Sequence, residues 1–204
     1  MNKIKNVIFD MGGVLLDYDP IRIVKQVSTD KAEIQSIIDV TFGCDLWDEY
    51  DRGVVTLKEI YDAAIKKTPQ SLHKKIKLSL ENWDKYFIEI DGAESFISKL
   101  KKNGYSMFLL SNTGEKFHEF RHTEKILEHF DKFIVSCDIK VNKPDKEIYE
   151  ALINKFKLEP SQSIFIDDRL QNVEGAKSIG MESEQFMGYD NLIKAFKEKY
   201  CIIL

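Results

Sequence analysis

Four short apolar runs, each closing on residues able to do chemistry, constrain this chain more than any other feature. The first, Ile4-Lys5-Asn6-Val7-Ile8-Phe9-Asp10, ends on an acid and is followed by Gly12 and Gly13. An apolar, β-branched run that stops at an acid just before two glycines reads as a buried strand delivering one carboxylate to a tight turn. The second run, Tyr105 to Leu110, leads into Ser111-Asn112-Thr113; the third, Lys132 to Ser136, precedes Lys143-Pro144; the fourth, Ser163 to Ile166, ends on Asp167-Asp168. Helical patterns separate them. Phe96, Ile97 and Leu100 belong to a helix that stops at Gly104, Ile148, Leu152 and Phe156 to one that starts at Asp145, and Leu170, Val173, Ala176 and Ile179 to one that stops at Gly180. A weak strand around Met181 to Met187 and a last helix from about Asn191 close the chain. Strands alternating with helices predict an α/β fold, a parallel sheet with helices on both faces.

The stretch between the first run and the rest obeys a different period. Asp19-Pro20 reads as an N-cap with proline at the first helical position, ahead of Ile21, Val24 and Val27. Asp30 with Glu33 resembles a capping box. Thr56 with Glu59 is a better one, followed by Leu57, Ile60, Tyr61, Ala64 and Ile65 on one helical face. No convincing strand pattern occurs from Pro20 to Glu89. The expected organisation is therefore a Rossmann-like core of residues 1–19 and 90–204, interrupted by an all-helical cap of residues 20–89.

Composition narrows the function classes. The 204 residues are 43% hydrophobic and 31% charged, with a net charge of −4 and both signs interspersed. That leaves no basic field for nucleic acid. No apolar run of about 20 residues is present to span a membrane, and no h-region marks a secretory signal. Cys44, Cys137 and Cys201 are widely spaced, so neither a disulfide framework nor a zinc cluster is predicted, and a cytoplasmic location fits. The ending Cys201-Ile202-Ile203-Leu204 matches a prenylation pattern with Lys194, Lys197 and Lys199 upstream, but reads as an apolar tail packing on the domain edge.

In a parallel sheet all strand C-termini lie along one edge, so residues distant in sequence can meet there. Asp10 supplies a potential nucleophile, Ser111 and Asn112 supply hydroxyl and amide donors, Lys143 a positive charge, and Asp167-Asp168 an acidic pair. This set suits a phosphate and a divalent cation. A carboxylate attacking a phosphoryl group needs positive charge to hold the dianion. Mg2+ prefers oxygen ligands, takes one or two carboxylates, and fits Asp10 and Asp168 with the Gly12 carbonyl as a third ligand. Ser111, Asn112 and Lys143 are the expected phosphate-binding group, and catalysis would pass through an aspartyl phosphate.

The segments Phe-Asp-Met-Gly-Gly-Val-Leu, Leu-Leu-Ser-Asn-Thr, Lys-Pro-Asp-Lys-Glu-Ile-Tyr and Phe-Ile-Asp-Asp-Arg-x-x-Asn-Val-x-Gly-Ala-x-x-x-Gly-Met resemble the four ordered motifs of the haloacid dehalogenase superfamily of hydrolases, over Val7 to Met181. The resemblance implies that Asp10 is the nucleophile, that Ser111 and Lys143 bind phosphate, and that Asp168 binds magnesium with Asp167 beside it. It also implies a helical cap that opens and closes over the site, and a small phosphorylated metabolite as substrate.

One position departs from that pattern. Phosphatases of the superfamily usually carry a second aspartate two residues after the nucleophile, as acid for the leaving group and base for water; here that position is Gly12. Loss of general acid catalysis costs about 10²-fold to 10⁴-fold in rate. A leaving group of low pKa, as in a sugar 1-phosphate, is therefore expected. Asp17 and Asp19 are candidate substitutes, although a solvated loop with Asp19 as an N-cap accounts for both. In the helical segment, Trp47, Tyr50, Asp51, Arg52 and Gly53 form the most distinctive cluster, with Trp47 and Tyr50 expected to pack on one helix face and Arg52 either to reach substrate or to cap a helix end. His118 and His122 have metal-ligand spacing, yet no third ligand is evident, so a solvated face is the reading for them; His73 and His129 stand apart. Two alternatives remain open from residues alone: metal-independent dehalogenation through an aspartyl ester, and a phosphometabolite- or partner-binding protein whose turnover was lost with the acid at position 12.

Overall fold

The computed structural model describes residues 4–202. Strand β1 (Asn6–Phe9) enters the middle of the molecule, and a two-residue strand β2 (Leu16–Asp17) follows. Then come helices α1 (Pro20–Val24), α2 (Lys31–Val40), α3 (Asp45–Asp51), α4 (Leu57–Ala64) and α5 (Gln70–Asn82), a 3₁₀ turn at Trp83–Tyr86, and a second two-residue strand, β3 (Ile88–Glu89). The remainder alternates: α6 (Ala93–Lys102), β4 (Ser106–Ser111), α7 (Phe117–Phe120), β5 (Phe133–Val135), α8 (Ser136–Ile139), α9 (Lys146–Phe156), β6 (Ser163–Asp167), α10 (Leu170–Ser178), β7 (Glu182–Gln185) and α11 (Tyr189–Glu198). No helix among the described residues is long and apolar enough to cross a membrane.

The main sheet has the order β5-β4-β1-β6-β7 and is parallel throughout. Because side chains alternate across a strand, one apolar run feeds two cores. Val7, Phe9, Leu109, Ile164 and Ile166 face the α6 and α11 side, where Phe96, Ile97, Leu100 and Phe196 are buried. Ile8, Phe108, Leu110 and Phe165 face α9 and α10, against Ile148, Tyr149, Leu152 and Ala176. Both faces being covered explains why these strands read as continuous apolar runs.

Beyond the sheet, β2 and β3 pair antiparallel, Leu16 opposite Glu89 and Asp17 opposite Ile88. This ribbon joins the entry and exit of the helical segment. The sequence has no strand signal there because two residues cannot express a period of two. Arg22 reinforces the junction, donating to the Asp17 carboxylate at 2.7 Å, the Asp17 carbonyl at 2.6 Å and the Tyr86 carbonyl at 2.8 Å. The caps form as the chain predicts, with one difference. Asp19 and Asp30 accept from Ile21 and Glu33 backbone N–H groups, and Thr56 with Glu59 makes the full reciprocal box. Glu33, by contrast, turns its carboxylate to Ser28 and Lys75 instead of back to the Asp30 backbone. Ile202 is buried and Cys201 exposed, while the last two residues of the prenylation-like pattern lie outside the described residues.

Candidate active site

β1 occupies the centre of the sheet, and its register fixes what surrounds its end. Phe9 is level with Leu109 on β4 and Ile166 on β6, so Asp10, Ser111 and Asp167 emerge on one edge. Asp10 is 7% exposed. Its Oδ1 accepts from the Met11 backbone N–H at 2.6 Å and lies 2.7 Å from Lys143 Nζ. That ammonium also donates to Asp167 Oδ2 at 2.8 Å and to the Leu110 carbonyl at 3.0 Å. An ammonium has three N–H groups, and all three have partners here. Lys143 therefore holds Asp10 and Asp167 together with every N–H already engaged. Burial pushes the Asp10 carboxyl up despite the opposing pull of Lys143, whereas the carboxylates of Asp10 and Asp167 overcome desolvation to hold the Lys143 ammonium up. Asp167 is fully buried; it also accepts from the Arg169 backbone N–H at 2.8 Å and from Asn172 Nδ2 at 3.0 Å through both oxygens. It fixes both the lysine and the start of α10.

Carboxylate oxygens of Asp10, Asp167 and Asp168 lie within 4.8 Å of one another. Asp168 is the most exposed of the three, and burial followed by the Asp167 charge raises its pKa. Its place depends on Gly13, whose φ is +74° and where a Cβ would come within 2.6 Å of Asp168 Oδ2. An all-oxygen set of converging acids fits Mg2+ and not a softer metal. A second mixed group occurs elsewhere among the described residues: His118 Nε2 lies 2.8 Å from Asp138, beside Cys137, so the companions of His118 come from α8 and not from His122.

The expected phosphate donors divide. Ser111, 1% exposed, closes β4 on the rim of the cavity. The Asn112 side chain is tied to the Lys143 main chain, donating to its carbonyl at 3.0 Å and accepting from its N–H at 2.8 Å. It braces the lysine and leaves one N–H of its amide, besides the backbone, for a ligand. Thr113, which the sequence reading passed over, lines the cavity with a buried hydroxyl that has no partner among the described residues.

The cavity itself, about 380 Å³, lies between the strand edge and the helical segment. Its far wall is aromatic: Tyr18, Phe42, Trp47, Trp83 and Phe87. Trp47 meets Phe42 edge-on at 4.8 Å and Trp83 at 5.4 Å, and packs with Tyr50 at 5.1 Å, so the predicted helix-face pair is core, with Trp47 also forming cavity wall. Arg52 is the C-cap of α3 and pairs with Glu49 at 3.3 Å. Asp51, Arg169 and Asn172 also line the space. Desolvation, reinforced by the nearby Asp48 charge and opposed by Arg169, raises the Asp51 carboxyl to about 7. The sequence singles out Asp51 as a member of the Trp47–Gly53 cluster but assigns it no role, because its place in the cavity depends on how the end of α3 docks against the core.

Residues 4–180 match the family model described as haloacid dehalogenase-like hydrolase. The chain is 28% identical over 185 residues to a sesquiterpene phosphatase of Aspergillus oryzae, covering 87% of each chain. It is 27% identical over 191 residues to D-ribitol-5-phosphate phosphatase of Bacteroides thetaiotaomicron, covering 89% of this chain and 91% of that one. A HAD family enzyme from the same bacterium, solved with magnesium and inorganic phosphate, shares the fold at a TM-score of 0.68 and 22% identity, over 93% of this chain and 98% of that one.

Proposed function

The chain belongs to the haloacid dehalogenase-like hydrolases, and from that premise we propose that it is a magnesium-dependent phosphomonoester hydrolase of a small phosphometabolite, working through an aspartyl phosphate on Asp10. The observation that carries this reading is the buried Asp10 carboxylate at the end of the central strand, 2.7 Å from Lys143 and grouped with Asp167 and Asp168. Asp10 would attack phosphorus. Lys143 would hold its carboxylate in line and offset the incoming negative charge, while Ser111 and the backbone N–H groups after it would donate to the transferring oxygens. Asp10, the Gly12 carbonyl and Asp168 would hold Mg2+, which supplies charge neutralisation at the phosphoryl oxygens. Residues 20–89 would act as the cap, excluding water from a core formed by 1–19 and 90–204.

Gly12 and the aromatic wall bear on the substrate. With no acid two residues after Asp10, a sugar 1-phosphate asks least of that side of the site, because its anomeric oxygen leaves more readily than a primary alkoxide. Aromatic rings beside polar groups suit the alternating apolar and hydroxylated faces of a sugar or polyol. Relatives acting on ribitol 5-phosphate and on a sesquiterpene phosphate mark the range to assay. Dehalogenation without metal gives no reason for Asp168 to converge with Asp10 beside the Asp167 that already holds Lys143.

The test is phosphate release from p-nitrophenyl phosphate and a panel of sugar phosphates, with Mg2+ or with EDTA, for wild type and Asp10→Asn. Wild-type turnover with Mg2+ that disappears under either change is the expected result. Activity surviving EDTA or the substitution would overturn the mechanism, and tight binding with no turnover would favour a binding protein.

A further inference from the structure

Hydrolysis of an alkyl phosphate requires a proton for the departing oxygen, and the chain offers none from position 12. The other titratable groups lining the cavity can be taken in turn. Asp10 is engaged by Lys143, and Asp168 stands with the metal-binding acids. Asp17, one of the two candidates from sequence, is held by Arg22 at 2.7 Å, and Asp19 serves as the N-cap of α1. Lys143 has all three N–H groups engaged, and burial drives the Tyr18 hydroxyl well above its ordinary range. Asp48 is exposed to solvent. Asp51 remains. It sits at the end of α3, on the wall that the helical segment contributes, and its charge couples to Asp10 across the cavity.

Its placement is fixed from the core side. The Ser136 hydroxyl donates to the Asp51 carbonyl at 2.5 Å and itself accepts from the Thr113 backbone N–H at 2.9 Å, while the Gly114 backbone N–H donates to the Asp51 carboxyl. We infer that Asp51 is the catalytic acid and base of this enzyme, brought by the cap to the cavity that the nucleophile also lines. The inference rests on the phosphatase reading above. In the first step Asp10 bonds to phosphorus, the bond from phosphorus to the alkoxy oxygen breaks, and Asp51 gives that oxygen its proton to release a neutral alcohol. In the second, water attacks phosphorus and gives a proton to the Asp51 carboxylate while the bond to Asp10 breaks. Both groups return to their starting state. A carboxyl titrating at about 7 holds and gives up a proton near neutrality, as the role demands. The charges that act on it are those of Asp48, Arg169 and Asp10, with the Gly114 backbone N–H as a donor. The missing acid at Gly12 would then no longer confine the enzyme to good leaving groups.

The test compares kcat/KM for glycerol 2-phosphate, whose alkoxide needs a proton, with kcat/KM for p-nitrophenyl phosphate, whose phenolate does not. Asp51→Asn should lower the first by about 10²-fold to 10⁴-fold and the second by less than about tenfold. Asp51→Glu, which keeps a proton to give, should retain the wild-type ratio of the two. Equal losses on both substrates in Asp51→Asn, no loss on either, or a ratio in Asp51→Glu that falls as in Asp51→Asn, would each overturn the assignment and leave the phosphatase reading standing. A wild type inactive on both substrates would overturn that reading and this one together.

Discussion

Gly12 and Gly13 are neighbours in the same turn but are glycine for different reasons. At Gly13 the positive φ and the 2.6 Å approach of a would-be Cβ to Asp168 both demand the missing side chain; at Gly12 a Cβ would meet nothing within 4 Å. Packing therefore leaves room for an acid at position 12 that the chain does not use, while Asp51 lines the same cavity from the end of α3. Its electrostatics give a prediction independent of turnover. The Asp51 carboxyl is raised from its ordinary 3.8 to about 7 in the folded chain. A folded-state pKa above the unfolded one contributes stability that is present below the unfolded value and is lost as pH rises through the folded value. Asparagine does not titrate. Asp51→Asn should therefore melt close to wild type at pH 4 and above it at pH 8, by about 1–2 kcal/mol once the partial exposure of the residue is allowed for. Thermal melts in EDTA at the two pH values check this; a difference that does not grow with pH would mean that Asp51 ionises freely.

At the scale of elements, local signals and tertiary ones separate cleanly. The Thr56–Glu59 box starts α4 with two reciprocal hydrogen bonds that need nothing beyond four consecutive residues. Thr56→Ala should cost about 0.5–2 kcal/mol, lowering Tm by about 2–4 °C per kcal/mol for a chain of this size, while kcat/KM stays within about twofold. A loss of activity beyond that would show α4 to be coupled to the site. The same locality explains what could be read in advance. Strands β1, β4, β5 and β6 are legible as apolar runs because both faces are buried, and the meeting of Asp10, Ser111 and Asp168 is legible because a parallel sheet brings strand ends to one edge, whereas Lys143, beyond α8, stands out only by its place before Pro144 and a helix. The β2–β3 ribbon is too short to carry a period. The attachment of Asn112 to the Lys143 backbone and the presence of Asp51 in the cavity arise from packing across 31 residues and between α3 and the core, where sequence spacing carries no signal.

For the molecule as a whole, the decisive surface is where the end of α3 meets the core. Asn142 donates to the Asp48 carbonyl at 2.9 Å, Ser136 to the Asp51 carbonyl, and Lys140 to the Gly53 carbonyl. Lys116 pairs with Asp84 at the other end of the segment. Between them Gly114 passes directly under the Tyr50 ring: a Cβ there would fall 2.2 Å from Tyr50 Cζ, and Tyr50 is 1% exposed with no room to yield. Gly114→Ala must then push α3 off the core, lengthening the bonds that hold Asp51. Overpacking of this kind costs about 1–3 kcal/mol, but its signature lies in function. KM should rise and turnover of alkyl phosphates fall more than that of p-nitrophenyl phosphate, and the emission of Trp47, which packs on Tyr50, should shift as its surroundings open. Gly104→Ala is the control: its φ of +80° makes alanine costly, yet nothing lies within 4 Å and the turn follows α6, away from the cavity. It should lose comparable stability with kinetics and emission unchanged. If both variants alter kinetics alike, the docking of α3 is a matter of stability alone; if only Gly114→Ala does, the seating of α3 on the core governs the chemistry at Asp10.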